Sequence, residues 1–396
     1  MPLTSKTFSQ IITFTRARTA TYFDSAGVLQ SAAIDVPRFD YDPATLAAQG
    51  FLIEEARTNQ ITSSAVLPVG VASVITADAF TAPDNTTTGD QILDNATLSE
   101  HYSDSSFTPT AATNYTFSAF IKNIGALSSN FACLRLAGDF NAFVFVNLST
   151  FALTNGGAHF VSSSIQAVNN GWYRVSVTGL SNGTATTFAR IQVADSVSLA
   201  PYSGTGEGFA VWGRQLEAGS FPTSYIPTTS TALTRAADVA SVNTLSPWYN
   251  ASQSTIYAEW TNIAATMPTG STQIVSRIGD GTGNNFLVLS QIQVASSKAS
   301  QNQFSGGVNP GRIDAGGAYS NTTVKAASAF AASDRALSVN GGVAVTSATG
   351  AMPVTSIRMS LGVDDSLSVG FLNGYLRRVT YYPRRLNNAE LANLTS

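Results

Sequence analysis

The side chains able to do chemistry are few in this chain and widely spaced. Cleaving a glycosidic bond takes two carboxyl groups flanking it, about 5 Å apart for retention or about 6.5–9.5 Å for inversion, with one of them kept protonated. The candidates are Glu54, Glu55, Glu217 and Glu259. Glu54 and Glu55 are adjacent and would face opposite ways on a strand, while Glu217 and Glu259 fall in different expected domains. The two histidines, His101 and His159, stand in no metal-ligand spacing and beside no Gly-x-Ser-x-Gly turn, so neither zinc chemistry nor a Ser-His-Asp triad has local support. Cys133 is the single cysteine, so no intrachain disulfide can form. Its neighbours Phe131, Ala132 and Leu134 mark a buried structural thiol. No catalytic centre assembles from these residues, and the expectation is a protein that is not an enzyme.

Binding groups are easier to find. Asp280-Gly281-Thr282-Gly283-Asn284-Asn285 holds oxygens, those of Asp280 and Asn284 first, that could coordinate calcium. It lacks the spaced carboxylates of an EF-hand, and its composition is that of a hairpin turn. No cofactor is expected beyond that one candidate ion. Trp248 and Tyr249, following Pro247, are the aromatic pair placed to stack on a sugar ring, with interdomain packing as the competing role. Trp172, Tyr173, Trp212 and Trp260 lie inside strand patterns, where an aromatic is normally core. Arg377-Arg378 and Arg384-Arg385 could meet acidic polysaccharide, although Arg377 and Arg378 take opposite faces of a strand.

Positioning these groups falls to β-structure. The chain has 396 residues, 44% of them hydrophobic and 11% charged, against about 25% charged in an average soluble protein. Val, Ile, Thr, Phe and Tyr recur in short runs between Gly, Asn and Pro, an all-β pattern. Tyr115, Phe117, Ala119 and Ile121 alternate with Thr116, Ser118 and Lys122, which gives the strand one buried face. Phe120 breaks the polar side, so this strand is expected to be covered on both faces. A second β-rich half follows, with Ile256, Ala258 and Trp260 opposite Tyr257 and Glu259. Leu386, Leu391 and Leu394 near one helical face, behind Asn387 or Asn388 as cap, predict a short closing helix.

The expected layout is an extended N-terminal arm over residues 1–60, rich in Asp-Pro and Pro turns, then a sandwich over 61–235 and a second over 245–396. The proline- and hydroxyl-rich stretch 221–231 reads as a connector. A net charge of -3 provides no clustered cation for a phosphate backbone or an anionic lipid surface, so nucleic acid is not an expected partner. No apolar run approaches the roughly 18 residues of a membrane span, and Met1-Pro2-Leu3-Thr4-Ser5-Lys6 lacks a signal-peptide layout. Membrane insertion is not expected, and the chain should stay in the cytoplasm that makes it unless it leaves within a particle.

Three segments resemble recurrent pieces of tailed-bacteriophage virion proteins: Ala20-Thr21-Tyr22-Phe23-Asp24 through Pro37-Arg38-Phe39-Asp40-Tyr41-Asp42-Pro43 to Leu52-Ile53-Glu54-Glu55-Ala56-Arg57-Thr58-Asn59; residues 212–227, from Trp212-Gly213-Arg214 to Tyr225-Ile226-Pro227; and Gly374-Tyr375-Leu376-Arg377-Arg378 through Leu386. The last looks like the closing strand and helix of concanavalin A-like lectin domains of the laminin G or pentraxin type. The resemblance implies two tandem jelly-roll β-sandwiches in a virion structural protein, a tail fibre or similar appendage of the adsorption apparatus. A head decoration or head-fibre protein is the first alternative and a polysaccharide depolymerase the second. It further implies other virion proteins as partners, a homo-oligomer with a trimer favoured, host-surface polysaccharide as a ligand, and a virion location. Arg38, Asp40, Tyr41, Glu54 and Arg57 are then the arm residues expected to dock onto the particle. The alternating Glu-x-Asp-x-x-Glu strand of lectin-fold glucanases is not found.

Overall fold

The computed structural model describes residues 6–183, 185–263, 270–293, 296–317 and 322–396; the first five residues of the signal-peptide reading lie outside these. Tyr115, Phe117, Ala119 and Ile121 of the strand Asn114–Lys122 do turn inward together, and they meet Val175 and Val177 of Trp172–Leu180 and Ile191 and Val193 of Thr187–Ala194. This core lies between two antiparallel sheets of a first jelly-roll sandwich. One runs Phe160–Val168, Trp172–Leu180, Asn114–Lys122, Gly208–Ala218, Thr87–Asp94, Ser73–Thr81, and the other His101–Phe107, Thr187–Ala194, Phe131–Ala137, Ala142–Asn147, Leu153–Gly156. Cys133 is buried on the second of these sheets, where burial pushes its thiol up to about 12, so it stays protonated and inert.

Phe120 points the other way and is also fully buried, in a separate cluster with Phe23, Leu29, Trp212 and Tyr225. The interruption of the polar side therefore marks a covered outer face, as expected.

A second jelly-roll sandwich is built the same way. Ile256, Ala258 and Trp260 of Gln253–Asn262 pack with Val275, Ile278, Leu287 and Leu289 of Thr272–Gly279 and Phe286–Gln293. The opposite side of the strand Gln253–Asn262 offers Tyr257 to the C-terminal helix Asn388–Thr395, where it joins Leu386 and Leu391. Asn387 caps that helix by accepting from the Glu390 amide, and the Glu390 carboxylate in turn accepts from the Asn387 amide.

Edge strands of a sandwich leave amide and carbonyl groups unpaired and apolar edges uncovered. Here the extended N-terminal residues satisfy both. Thr13–Thr15 pairs with Val239–Val242 on one sheet, while Ala48–Ile53 pairs with Gly374–Tyr382 on the other and carries Phe39–Tyr41 outside it. Phe14, Phe51 and Ile53 enter the second core, each worth about 1.5–3 kcal/mol of burial. Arg57–Asn59 pairs with Leu233–Arg235, so the chain enters and leaves the first sandwich through one short ladder.

Candidate functional site

Cross-strand register sets the chemistry of the covered outer face. It aligns Gln166, Arg174, Phe120 and Trp212 in one row and Ser164, Ser176, Ser118 and Gln215 in the next. Facing these rows are residues of the N-terminal arm, the connector Pro222 to Tyr225, and Thr261 and Tyr375 of the second sandwich. They do not close over the whole face. A cleft of about 390 Å³ remains, open to solvent, with Tyr22, Asp40, Arg174, Ser176, Ser224 and Tyr375 among its walls. That volume lies within the roughly 300–1,000 Å³ of small-ligand sites.

Beside the cleft lies a buried ion network. Arg38 is wholly buried; its Nη2 donates to Glu54 Oε2 at 2.8 Å and to Asp238 Oδ2, and its Nη1 donates to Thr21 O at 2.9 Å and Ser224 Oγ at 2.7 Å. Arg16 Nη1 meets Asp238 Oδ1 at 3.1 Å, and Arg235 Nη2 lies 3.5 Å from Glu54 Oε2. Buried charges cost several kcal/mol each unless paired, and here each carboxylate has at least two cations. Burial alone would raise the Glu54 carboxyl, but Arg235, Arg38 and two hydrogen bonds from Ser224 bring it down to about 2. Asp40 goes the opposite way. Burial raises it to about 6, against the opposing hydrogen bonds of the Phe23 amide at 2.6 Å and the Tyr375 hydroxyl at 3.0 Å.

This corrects the docking role expected for Arg38, Asp40 and Glu54. Arg38, Asp40 and Glu54 are 0, 5 and 1% exposed, and their polar atoms are spent on partners inside the chain. Tyr41 and Arg57 do reach the surface in part. Arg57 lies over the Phe221 ring at 5.0 Å and pairs with Glu55 at 2.5 Å. The three segments singled out in the sequence thus meet at one place: Arg38 and Glu54 from the first, Ser224 from the second and Tyr375 from the third.

Arg174, half-buried in the cleft wall, differs from the fully buried Arg214 and Arg335. Arg214 donates to three oxygens and Arg335 to four, neither with an ion pair among the described residues. Among the described residues Arg174 donates only to Ser118 Oγ, at 3.2 Å; its guanidinium lies 5.5 Å from the centre of the Phe120 ring, and its Nε, like that of Arg214, is buried with no partner. Burial lowers its guanidinium below the ordinary value, against the more distant charges of Glu217 and Glu54. Spare donors on a half-buried cation in a cleft wall are what the site offers chemically.

The remaining sequence candidates lie elsewhere. Trp248 packs edge-on against Tyr381 at 4.8 Å and donates to Thr244 O, while Tyr249 reaches Ser356. Both are half-buried against the second core rather than set in a groove. Asp280 sits in the hairpin between Thr272–Gly279 and Phe286–Gln293. Its carboxylate accepts from the Thr282 amide and hydroxyl, from Asn285 Nδ2 and from Thr355 Oγ1; these outweigh the effect of burial and hold it below the usual range. Asn284 lies in the same turn, and no group of three or more His, Cys, Asp or Glu placed to hold a metal occurs among the described residues. His101 is buried against Ala72 O and Tyr202 O. Glu217 is bound to Thr223 and Glu259 to Tyr257. Arg384 and Arg385 pair with Glu390 and Asp334, and Arg377 with Gln49.

Sequence reasoning did not single out Arg174, Gln166 or Tyr375 as site residues. The signal that pointed to their neighbourhood was Phe120, the apolar residue on a polar strand face.

No protein-family description matches this chain, and no curated protein matches it. Solved structures do show likenesses. The CBM40 of a Ruminococcus gnavus IT-sialidase, bound to alpha2,3 sialyllactose, is 18% identical with a TM-score of 0.32 over 37% of this chain and 84% of that one. Domains LG4-5 of the mouse laminin alpha1 chain are 11% identical with a TM-score of 0.26 over 85% and 91%. The CBM22-1-CBM22-2 tandem of Paenibacillus barcinonensis Xyn10C is 8% identical with a TM-score of 0.25 over 84% and 99%.

Proposed function

We propose that this chain is a non-catalytic binding protein that seats a glycan in the cleft between its two sandwiches. One observation carries the reading: the cleft joins hydroxyl and amide groups, aromatic walls and a guanidinium with spare donors. That mixture is what a polyhydroxylated ring needs, with apolar faces to stack on and donors and acceptors at its rim. Titrating the full chain calorimetrically with a panel of neutral and acidic polysaccharides tests it. Saturable binding that weakens in Tyr22→Ala is expected, with no release of reducing ends. Absence of saturable binding across the panel would sink the reading.

Hydrolysis is the second reading, favoured by one observation: Asp40 and Glu54 line one cleft with pKa values displaced in opposite directions. Against it, both Asp40 oxygens and both Glu54 oxygens already accept hydrogen bonds from the chain itself. A general acid must instead point its proton at the leaving oxygen. The reducing-end assay separates the two readings.

The wider setting we propose is the bacteriophage particle, as a tail fibre or similar appendage that recognises host-surface polysaccharide, with a head decoration as the alternative. The three resembling segments support it, and a symmetric trimer fits such appendages. Copy number in purified particles distinguishes tail from head, and light scattering of the purified chain reads the oligomer.

A further inference from the structure

The structure assigns the cleft a ligand class: we infer that Arg174 receives the oxyanion of an acidic glycan, a uronate carboxylate or a sulfate ester. The inference rests on the glycan-binding reading above and deepens it. The fully buried guanidiniums of Arg214 and Arg335 have most of their donors taken, by three oxygens and by four. Arg174 has one, the Ser118 hydroxyl, and among the described residues it has no ion pair. Its Nε is buried and unpartnered, and its side chain lines the cleft. The row neighbour Gln166 is exposed and adds amide donors beside it, and Ser176 follows in the next row.

The local charges permit an anion there. The acidic groups lining the cleft are Asp40, Asp42 and Glu54, all on the N-terminal arm, whereas Arg174 belongs to the first sandwich. Glu54 is neutralised by Arg38 and Arg235. Asp40 has both oxygens occupied, and Asp42 binds the amides of Ala44 and Thr45 in its own turn. Glu217, on the same outer face two rows from Arg174, is bound to Thr223. An arriving carboxylate or sulfate would find in Arg174 a cleft-wall cation with spare donors, and charge-assisted bonds to a partly desolvated guanidinium are the strong kind.

Matched ligands test this on the full chain by calorimetry: oligogalacturonate against the same oligomer with its carboxyls methyl-esterified, oligomannuronate against its methyl ester, and a sulfated galactan oligomer against its desulfated form. The wild type should bind at least one acidic member about 10- to 100-fold more tightly than its neutral counterpart, and Arg174→Gln should erase that difference. The carboxylate and sulfate pairs tell which oxyanion is preferred. Arg174→Gln should also melt close to the wild-type temperature, because the half-buried guanidinium it removes has no ion partner among the described residues. Equal binding of acidic and neutral members, or acidic binding that survives Arg174→Gln, overturns the inference while the glycan reading stands. No binding to any member of any pair, or a clear drop in the melting temperature of Arg174→Gln, overturns it as well; only the former, extended to the neutral panel, takes the glycan reading with it.

Discussion

Two regions of this chain present acidic and polar residues together, the junction beneath the cleft and the Asp280 hairpin at the edge of the second sandwich, and they spend them differently. At the junction Arg16, Arg38 and Glu54 meet Arg235 and Asp238 from about 180 to 220 residues away, and all five are fully buried. In the hairpin, Asp280 is served mainly by Thr282 and Asn285, within five residues of it, with Thr355 added. The first arrangement ties the N-terminal arm, the connector and the second sandwich together; the second shapes one turn. Charge that is buried and long-range holds a fold together, whereas charge that is exposed and local defines a corner.

The largest effect should come from the junction. Arg38→Met removes a guanidinium shared by Glu54, Asp238, Thr21 and Ser224 and leaves two carboxylates partly uncompensated. A loss of about 3–5 kcal/mol is expected from urea denaturation. A loss below about 1 kcal/mol would mean that the network is no weld, and the contrast with the hairpin would collapse.

Acid should separate two carboxyls inside the junction itself. Glu54, held at about 2 when folded and near 4.5 when unfolded, contributes stability that is complete above about pH 4.5 and lost as pH falls towards 2. Asp40, raised from 3.8 to about 6, has the reverse sign: its ionisation costs the folded state roughly 3 kcal/mol above pH 6, and that cost disappears as pH falls towards 4. The melting temperature should therefore rise from pH 7.5 to about 5 and fall again below about 4. Asp40→Asn should flatten the upper limb and leave the lower one. An upper limb that persists in Asp40→Asn would show that another group titrates there.

The sequence made the sandwiches legible because their cores obey a local rule: alternation along Asn114–Lys122 and Gln253–Asn262 states which side chains face inward. Phe120 even showed that an outer face is covered. What covers it was not legible, since the partners Phe23 and Tyr225 lie about a hundred residues away on either side and no periodicity links them. For the same reason the arm residues Arg38, Asp40 and Glu54 looked like a docking surface. Charged residues on an irregular segment read as exposed, and only pairing with Asp238, Arg235 and Tyr375 buries them. Arg174 was invisible for a subtler reason, because its distinction is a deficit of partners and a sequence records no deficits.

The smallest effect belongs to the hairpin and sharpens the contrast from the other side. If Asp280 serves its turn, its oxygens are already engaged and a calcium ion would have to displace the Thr282, Asn285 and Thr355 donors to gain them. Millimolar calcium should then leave the melting temperature of the wild type unchanged, and Asp280→Asn should cost about 1 kcal/mol through weakened turn hydrogen bonds. A ligand that binds only the folded state must stabilise it by mass action, so a calcium-dependent rise present in the wild type and absent in Asp280→Asn would make the hairpin a cation site. The local carboxylate would then be a ligand held ready by its turn, and the buried and exposed charges of this chain would differ in what they bind as well as in what they hold together.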